Sequence, residues 1–295
     1  MKNTILIAGA TGNLGGKIVT ALLEKEVNVR AIVRKETDRK KIVALEKQGV
    51  EVIEANLDSL AQVKDACKNV SCLVSALQGL KDVIVDTQSV LLEAAVAAGV
   101  PRFIPSDYSV DFTQLPYGIN RNFDLRKEFL EKLDKAPIAG TSIFNGAFAE
   151  LLSYNIPLLD FKKDQVCYWE NADWRIDFTT MDNTAAYTAA VAVDEEAPEI
   201  LRIASFQISA IELATLAGQI KNKTFDVVRL GDLTELADKN KQDRLDHPEG
   251  EKELYPFWQQ NQYTYSMFSV NHEKLDNTRY PELSWTTPGE VLQQI

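Results

Sequence analysis

Histidine, cysteine and long apolar runs are scarce in this sequence, and each scarcity removes a class of function. Only His247 and His272 occur among 295 residues, so a three-histidine metal centre cannot form and a His-dependent hydrolase has little to draw on. No metal site is expected. The three cysteines, Cys67, Cys72 and Cys167, contain no CxxC pair, which argues against a disulfide framework or a zinc site and fits core thiols in a reducing compartment. No apolar stretch approaches the ~20 residues that a membrane helix requires. The opening MKNTILIAGA has the character of a short signal h-region, but TGNLGG and an amphipathic helical pattern follow where a cleavage site would stand. A soluble cytoplasmic protein is expected. Positive charge is also short, with 32 Lys and Arg against 43 Asp and Glu and a net charge of −11. Such a surface repels phosphodiesters and anionic lipids, so the expected partner is a small molecule, with neither nucleic acid nor membrane.

What the chain does have is a rhythm. Short β-branched runs alternate with helical stretches through the first half, the pattern of strand–helix–strand units around a parallel sheet. Strands are expected at 4–8, 29–33, 51–54, 72–75, 102–104 and 141–144, and helices at 17–25, 39–48, 60–67, 82–98 and 122–133, with Gly49 and Gly99 at helix C-termini. Beyond about residue 149 the rhythm breaks, and all four tryptophans lie there. The fold class expected is α/β, a Rossmann-type doubly wound parallel sheet with a smaller, partly interleaved α+β substrate-side lobe. The core takes 1–153 with 176–206, and the lobe takes 154–175 with 207–295. The charged stretch 238–252 reads as a solvated loop or helix face.

The most informative segment is ILIAGATGNLGGKIV at 5–19, an apolar strand running through Gly9, Ala10, Thr11, Gly12, Asn13, Leu14 and Gly15 into a helix. Gly9 permits the tight turn, Gly12 lets the backbone approach a pyrophosphate, and Gly15 lets the helix pack closely on the sheet. The unpaired N–H groups and partial positive charge of the helix N-terminus suit a diphosphate. This context makes the loop a dinucleotide site rather than a structural turn. At the end of the second strand, where an acid would select NAD, the sequence has Arg34 and Lys35. Two cations there favour the 2′-phosphate of NADP(H), the alternative being a solvated pair on a charged loop.

Together GATGNLGG, LDSL at 57–60, VSALQG at 74–79 and RFIPSDYSVDF at 102–112 resemble the NmrA-like branch of atypical short-chain dehydrogenases and reductases, which includes isoflavone reductase-like and aromatic alcohol reductase-like proteins. The resemblance extends through most of the chain. It implies NADP(H) in the crevice, with Asn56 and Leu57 by the adenine, Ala76 and Gln78 by the ribose, and Ser106 and Asn145 on the nicotinamide side. The other reading of the Asn and Gln side chains is local capping. Where the family's reductases carry a lysine in an FxxK arrangement, this chain has Phe123-Asp124-Leu125-Arg126. Arginine stays protonated, so it can stabilise an oxyanion but not readily deliver a proton. An apolar stripe of Phe123, Leu125, Phe129, Leu130 and Leu133 puts Arg126 near its centre and Lys127 well to one side. Arg126 is expected either to pair with Asp107 or Asp111, or to meet a cofactor phosphate or substrate oxygen. The YxxxK signature is missing, since Arg121 follows Tyr117, which leaves Tyr108 and Tyr117 as candidate proton donors.

Two functions follow. One is an NADPH-dependent reductase of an aromatic or conjugated carbonyl-type compound, with Arg126 as electrostatic element, Lys127 as its substitute and Ser106 or Tyr108 as hydrogen-bond donor. The aromatic residues of the second half would wall a small aromatic or apolar substrate, or form an ordinary core. The other is a non-catalytic NADP(H)-binding regulator that reports redox state to a protein partner, a reading favoured by the missing lysine.

Overall fold

The computed structural model describes residues 3–154 and 158–295. Met1 and Lys2, at the start of the expected core, and 155–157, in the expected lobe, lie outside the described residues. Contacts divide the chain into two compact units. The first comprises Met1–Asp107, Leu125–Ile143 and Thr184–Leu201, and the second Tyr108–Asp124, Phe144–Asn183 and Arg202–Ile295.

The first unit is built on six parallel strands, β1 (Thr4–Ala8), β2 (Asn28–Val33), β3 (Glu51–Glu54), β4 (Cys72–Ser75), β5 (Arg102–Ile104) and β6 (Ala139–Gly140), in the order β3-β2-β1-β4-β5-β6. This is the doubly wound order, with the chain changing direction between β1 and β4. Ile5 to Ala8 of β1 are fully buried, as a continuous apolar run requires of a strand covered on both faces. The connecting helices are α1 (Asn13–Glu24), α2 (Arg39–Lys47), α3 (Leu60–Ala66), α4 (Gln88–Ala98) and α5 (Arg121–Leu133). On one face Leu6, Leu73, Leu91, Phe103, Phe129 and Leu133 share a single apolar cluster. Burying each large side chain there contributes ~1.5–3 kcal/mol.

Two helices depart from the sequence expectation for identifiable reasons. Helix α1 begins four residues before the expected position 17, because Gly15, a poor helix former by propensity, is required there by close packing. A Cβ on Gly15 would stand 2.1 Å from the Gly9 carbonyl oxygen. The expected single helix 82–98 instead opens with a wider, π-helical turn at Asp82–Thr87 before α4. Gly49 and Gly99 close α2 and α4 in left-handed conformations.

The remaining elements in chain order are β7 (Ser142–Phe144), β8 (Ala147–Phe148), β9 (Leu159–Asp160), β10 (Gln165–Trp169), β11 (Ile176–Thr179), α6 (Met181–Val193), β12 (Ile200–Arg202), β13 (Phe206–Ile208), α7 (Ala210–Lys221), β14 (Asp226–Gly231), α8 (Leu233–Asp246), α9 (Phe257–Ser269) and α10 (Pro288–Gln293). Within the second unit, β13-β11-β8 and β14-β10-β9 form two small sheets. Ser209 and Asp232 cap α7 and α8 with reciprocal bonds to Glu212 and Glu235, each cap contributing ~1 kcal/mol. Trp258 is fully buried with the guanidinium groups of Arg121 and Arg244 at 4.7 and 5.2 Å from its ring centre, so this tryptophan serves a core. The charged stretch 238–252 is largely α8, which turns Asn240 inward. Among the described residues no helix is long and apolar enough to cross a membrane.

Candidate functional site

The glycine loop leaves β1 by a turn in which Gly12 N–H donates to Gly9 O at 3.0 Å. Gly9 has φ +93°, and a Cβ there would meet the Ala76 carbonyl oxygen at 2.5 Å, so both conformation and space demand glycine. Gly12 differs. Its backbone is extended, with φ −87° and ψ 171°, and a Cβ would meet only Gly9 O, at 3.3 Å. Gly12 is the N-cap of α1, with no side-chain cap and no acidic residue in the first turn. The amides of the first helical turn, including Asn13 and Leu14, therefore receive no capping side chain from Gly12 and no carboxylate from the helix's own first turn. A helix end of this kind attracts anions such as a diphosphate.

The basic edge lies next to it. Arg34 and Lys35 are exposed at the end of β2. Asp38 caps α2 by accepting from Lys40 N–H at 2.8 Å, and Arg39 pairs with Glu46 and Glu54. Lys41 reaches back, its Nζ 3.4 Å from the Thr11 carbonyl oxygen. The sequence did not single out Lys41. The available signal was helical phase, since each step turns a side chain by ~100° and only one of three consecutive cations can point at the loop.

The residues assigned by resemblance divide. Ala76 borders Gly9, and Gln78 is exposed on the loop after β4. Asn56 Oδ1 accepts from Asp58 N–H at 3.0 Å, which is the local capping alternative, and Leu57 packs in the apolar cluster. Ser106 is held on all sides: its N–H donates to Gln88 Oε1 at 3.0 Å, its hydroxyl donates to Leu77 O at 2.7 Å, and its carbonyl accepts from Arg126 Nε at 3.1 Å. In the second unit Tyr108 is buried and Tyr117 exposed. Asn145 there is fully buried, and its N–H donates to Ser109 O at 2.9 Å.

Of the two carboxylates expected to pair with Arg126, Asp111 is engaged elsewhere. Asp111 belongs to Arg202, whose Nη2 lies 2.7 Å from its carboxylate, and to Thr113 and Gln114. Asp107 accepts from Ser142 Oγ at 2.8 Å. Burial pushes its carboxyl up to about 6, against the Ser142 hydrogen bond and the charge of Arg126. Lys127 does not sit outside the buried arc of α5. It is 8% exposed, less than the half-buried Arg126. Among the described residues no cluster of His, Cys, Asp or Glu could hold a metal ion.

Comparison with known proteins agrees with this arrangement. The model of the NmrA-like family matches residues 1–239. Pinoresinol reductase 1 of Arabidopsis thaliana is 28% identical over 203 residues, covering 64% of this chain and 64% of that protein. The chain thus spans slightly under two thirds of that relative's length. Bifunctional pinoresinol-lariciresinol reductase 1 of Thuja plicata is 24% identical over 319 aligned positions, covering 99% and 98% of the two chains. Among solved structures, an isoflavone reductase superposes with a TM-score of 0.81 at 19% identity, covering 100% of this chain and 99% of its own. The NADPH-dependent quinone oxidoreductase QOR2 of Escherichia coli, complexed with NADPH, gives 0.72 at 22%, covering 98% and 99%. These two likenesses establish the fold.

Proposed function

The chain belongs to the NmrA-like family, and on that premise we propose that it is an NADPH-dependent reductase of an aromatic or conjugated carbonyl-type small molecule. The observation that carries the reading is the bare N-terminus of α1 above a glycine turn that no other residue can make, with Arg34, Lys35 and Lys41 at its side. Main-chain amides of residues 12–15 bind the diphosphate, and the three cations receive the 2′-phosphate, with Arg34 able to do so bidentately. When bound, NADPH supplies a hydride to a substrate carbon.

Arg126 then stabilises the negative charge that gathers on the substrate oxygen. Its Nε donates to Ser106 O, which orients the guanidinium and its permanent charge, as oxyanion stabilisation requires. Because guanidinium does not release its proton at physiological pH, protonation of that oxygen falls to solvent water. Relatives named as reductases of pinoresinol and isoflavone lend support to an aromatic substrate. The alternative of a non-catalytic sensor finds no support among them. The test is NADPH consumption, followed optically, with a panel of aromatic aldehydes, enones and quinones. Turnover with a member of the panel is expected, and tight NADPH binding without turnover of any compound would reject the reductase reading.

A further inference from the structure

Gln88 is a long polar side chain with no exposed surface, at the junction between the π-helical turn and α4. Its backbone N–H reaches Val83 O, five residues back. In a regular α-helix that N–H would bond Ile84 O. Here the Gln88 side chain binds that carbonyl instead, its Nε2 donating to Ile84 O at 2.7 Å. The other end of the same amide accepts Ser106 N–H at 3.0 Å. A carbonyl can only accept and an N–H can only donate, so the amide has one satisfying orientation. The turn is itself wedged in place, since a Cβ on Gly79 would meet Val83 Cβ at 2.4 Å.

From these contacts we infer that Gln88 is a positioning residue for Arg126, acting through the main chain of Ser106. The chain of contacts is short: Gln88 fixes Ser106 N–H, and Ser106 O fixes Arg126 Nε. Without the Gln88 acceptor the Ser106 amide is buried and unsatisfied, the segment shifts to find a partner, and the carbonyl that aims Arg126 moves with it. The inference rests on the reductase reading for its catalytic consequence alone.

The experiment uses the full chain and two variants, Gln88→Met, which keeps length but has neither donor nor acceptor, and Gln88→Glu. Four quantities are measured: proton exchange at Arg126 Nε–H by NMR without cofactor, NADPH affinity by calorimetry, and kcat and KM for reduction of menadione as the probe quinone. For Gln88→Met, Nε–H exchange is expected to quicken at least ~10-fold and kcat to fall ~10- to 100-fold, the size of effect an ångström of misplacement produces, with KM and NADPH affinity within ~3-fold of wild type. A general loss of packing would not separate kcat from KM in this way. In Gln88→Glu the neutral carboxyl can make both bonds, whereas the carboxylate has no proton for Ile84 O and is repelled by that carbonyl from the position where it would accept Ser106 N–H, so exchange and kcat should return toward wild type as pH is lowered. Unchanged Arg126 exchange in both variants overturns the inference, whatever happens to stability. Should Gln88→Met not fold, the pH dependence of Gln88→Glu decides the matter. If the wild type reduces neither menadione nor any other compound, the reductase reading falls, and Nε–H exchange still decides whether Gln88 positions Arg126.

Discussion

Alanine at Gly12 and alanine at Gly15 should separate two roles that glycine loops usually combine. At Gly12 the backbone angles suit any residue, and the new methyl would touch only Gly9 O, at 3.3 Å. The small shift this demands is offset by the lower entropy of the unfolded chain, so stability should stay within ~1 kcal/mol of wild type. The methyl would, however, occupy the space where a phosphoryl oxygen meets the helix amides. Losing one hydrogen bond to a charged group costs ~1.5–3 kcal/mol, or ~10- to 150-fold in affinity. At Gly15 a Cβ would lie 2.1 Å from Gly9 O and 2.7 Å from Gly9 C, all main chain that cannot rotate away. The helix must then back off the loop, at ~3 kcal/mol or more. Thermal unfolding without ligand and calorimetric titration with NADPH read the two effects separately. Gly12→Ala should unfold like wild type and bind weakly, whereas Gly15→Ala should unfold early. Wild-type NADPH affinity in Gly12→Ala would refute main-chain recognition of the diphosphate.

Arg34→Ala should weaken NADPH ~10- to 100-fold and leave NADH unchanged, with a smaller loss for Lys41→Ala. Equal losses for both nucleotides, measured by fluorescence titration, would remove these cations from 2′-phosphate recognition. Arg126→Ala should lower kcat ~10²- to 10³-fold while NADPH affinity holds, and Lys127→Ala should spare kcat. Equal kcat in Arg126→Ala and wild type would contradict the electrostatic role. Asp107, with its folded pKa raised from 3.8 to about 6, binds more protons folded than unfolded between those values. Its contribution is favourable at low pH and is lost as pH rises through about 6. Asp107→Asn should therefore gain stability relative to wild type across that interval, by roughly 3 kcal/mol at most, from two pH units at ~1.4 kcal/mol each. A flat difference in denaturant-derived stability would contradict it.

The sheet was legible because buried parallel strands are nearly unbroken apolar runs, and β1, β3, β4 and β5 fall at their expected positions. The glycine loop was legible because its spacing has a steric cause. What escaped depends on partners far along the chain. Asp111 is matched by Arg202, 91 positions away, and no local pattern distinguishes that arginine from Arg126. Gln88 reads as an ordinary polar helix residue until Ser106, 18 positions on, is seen to need an acceptor. The π-helical turn that aims it has no sequence signature. Trp258 could have walled a pocket or filled a core, and two arginines against its ring decide for the core.

Titration of the unmodified protein with NADPH, and separately with NADH, by isothermal calorimetry bears most directly on the proposed cofactor site. Saturable heat with NADPH, at a clearly lower dissociation constant than with NADH, is the expected result. Absence of heat with both nucleotides would mean that the bare end of α1 holds no pyridine dinucleotide, and the functional reading built on it would fail.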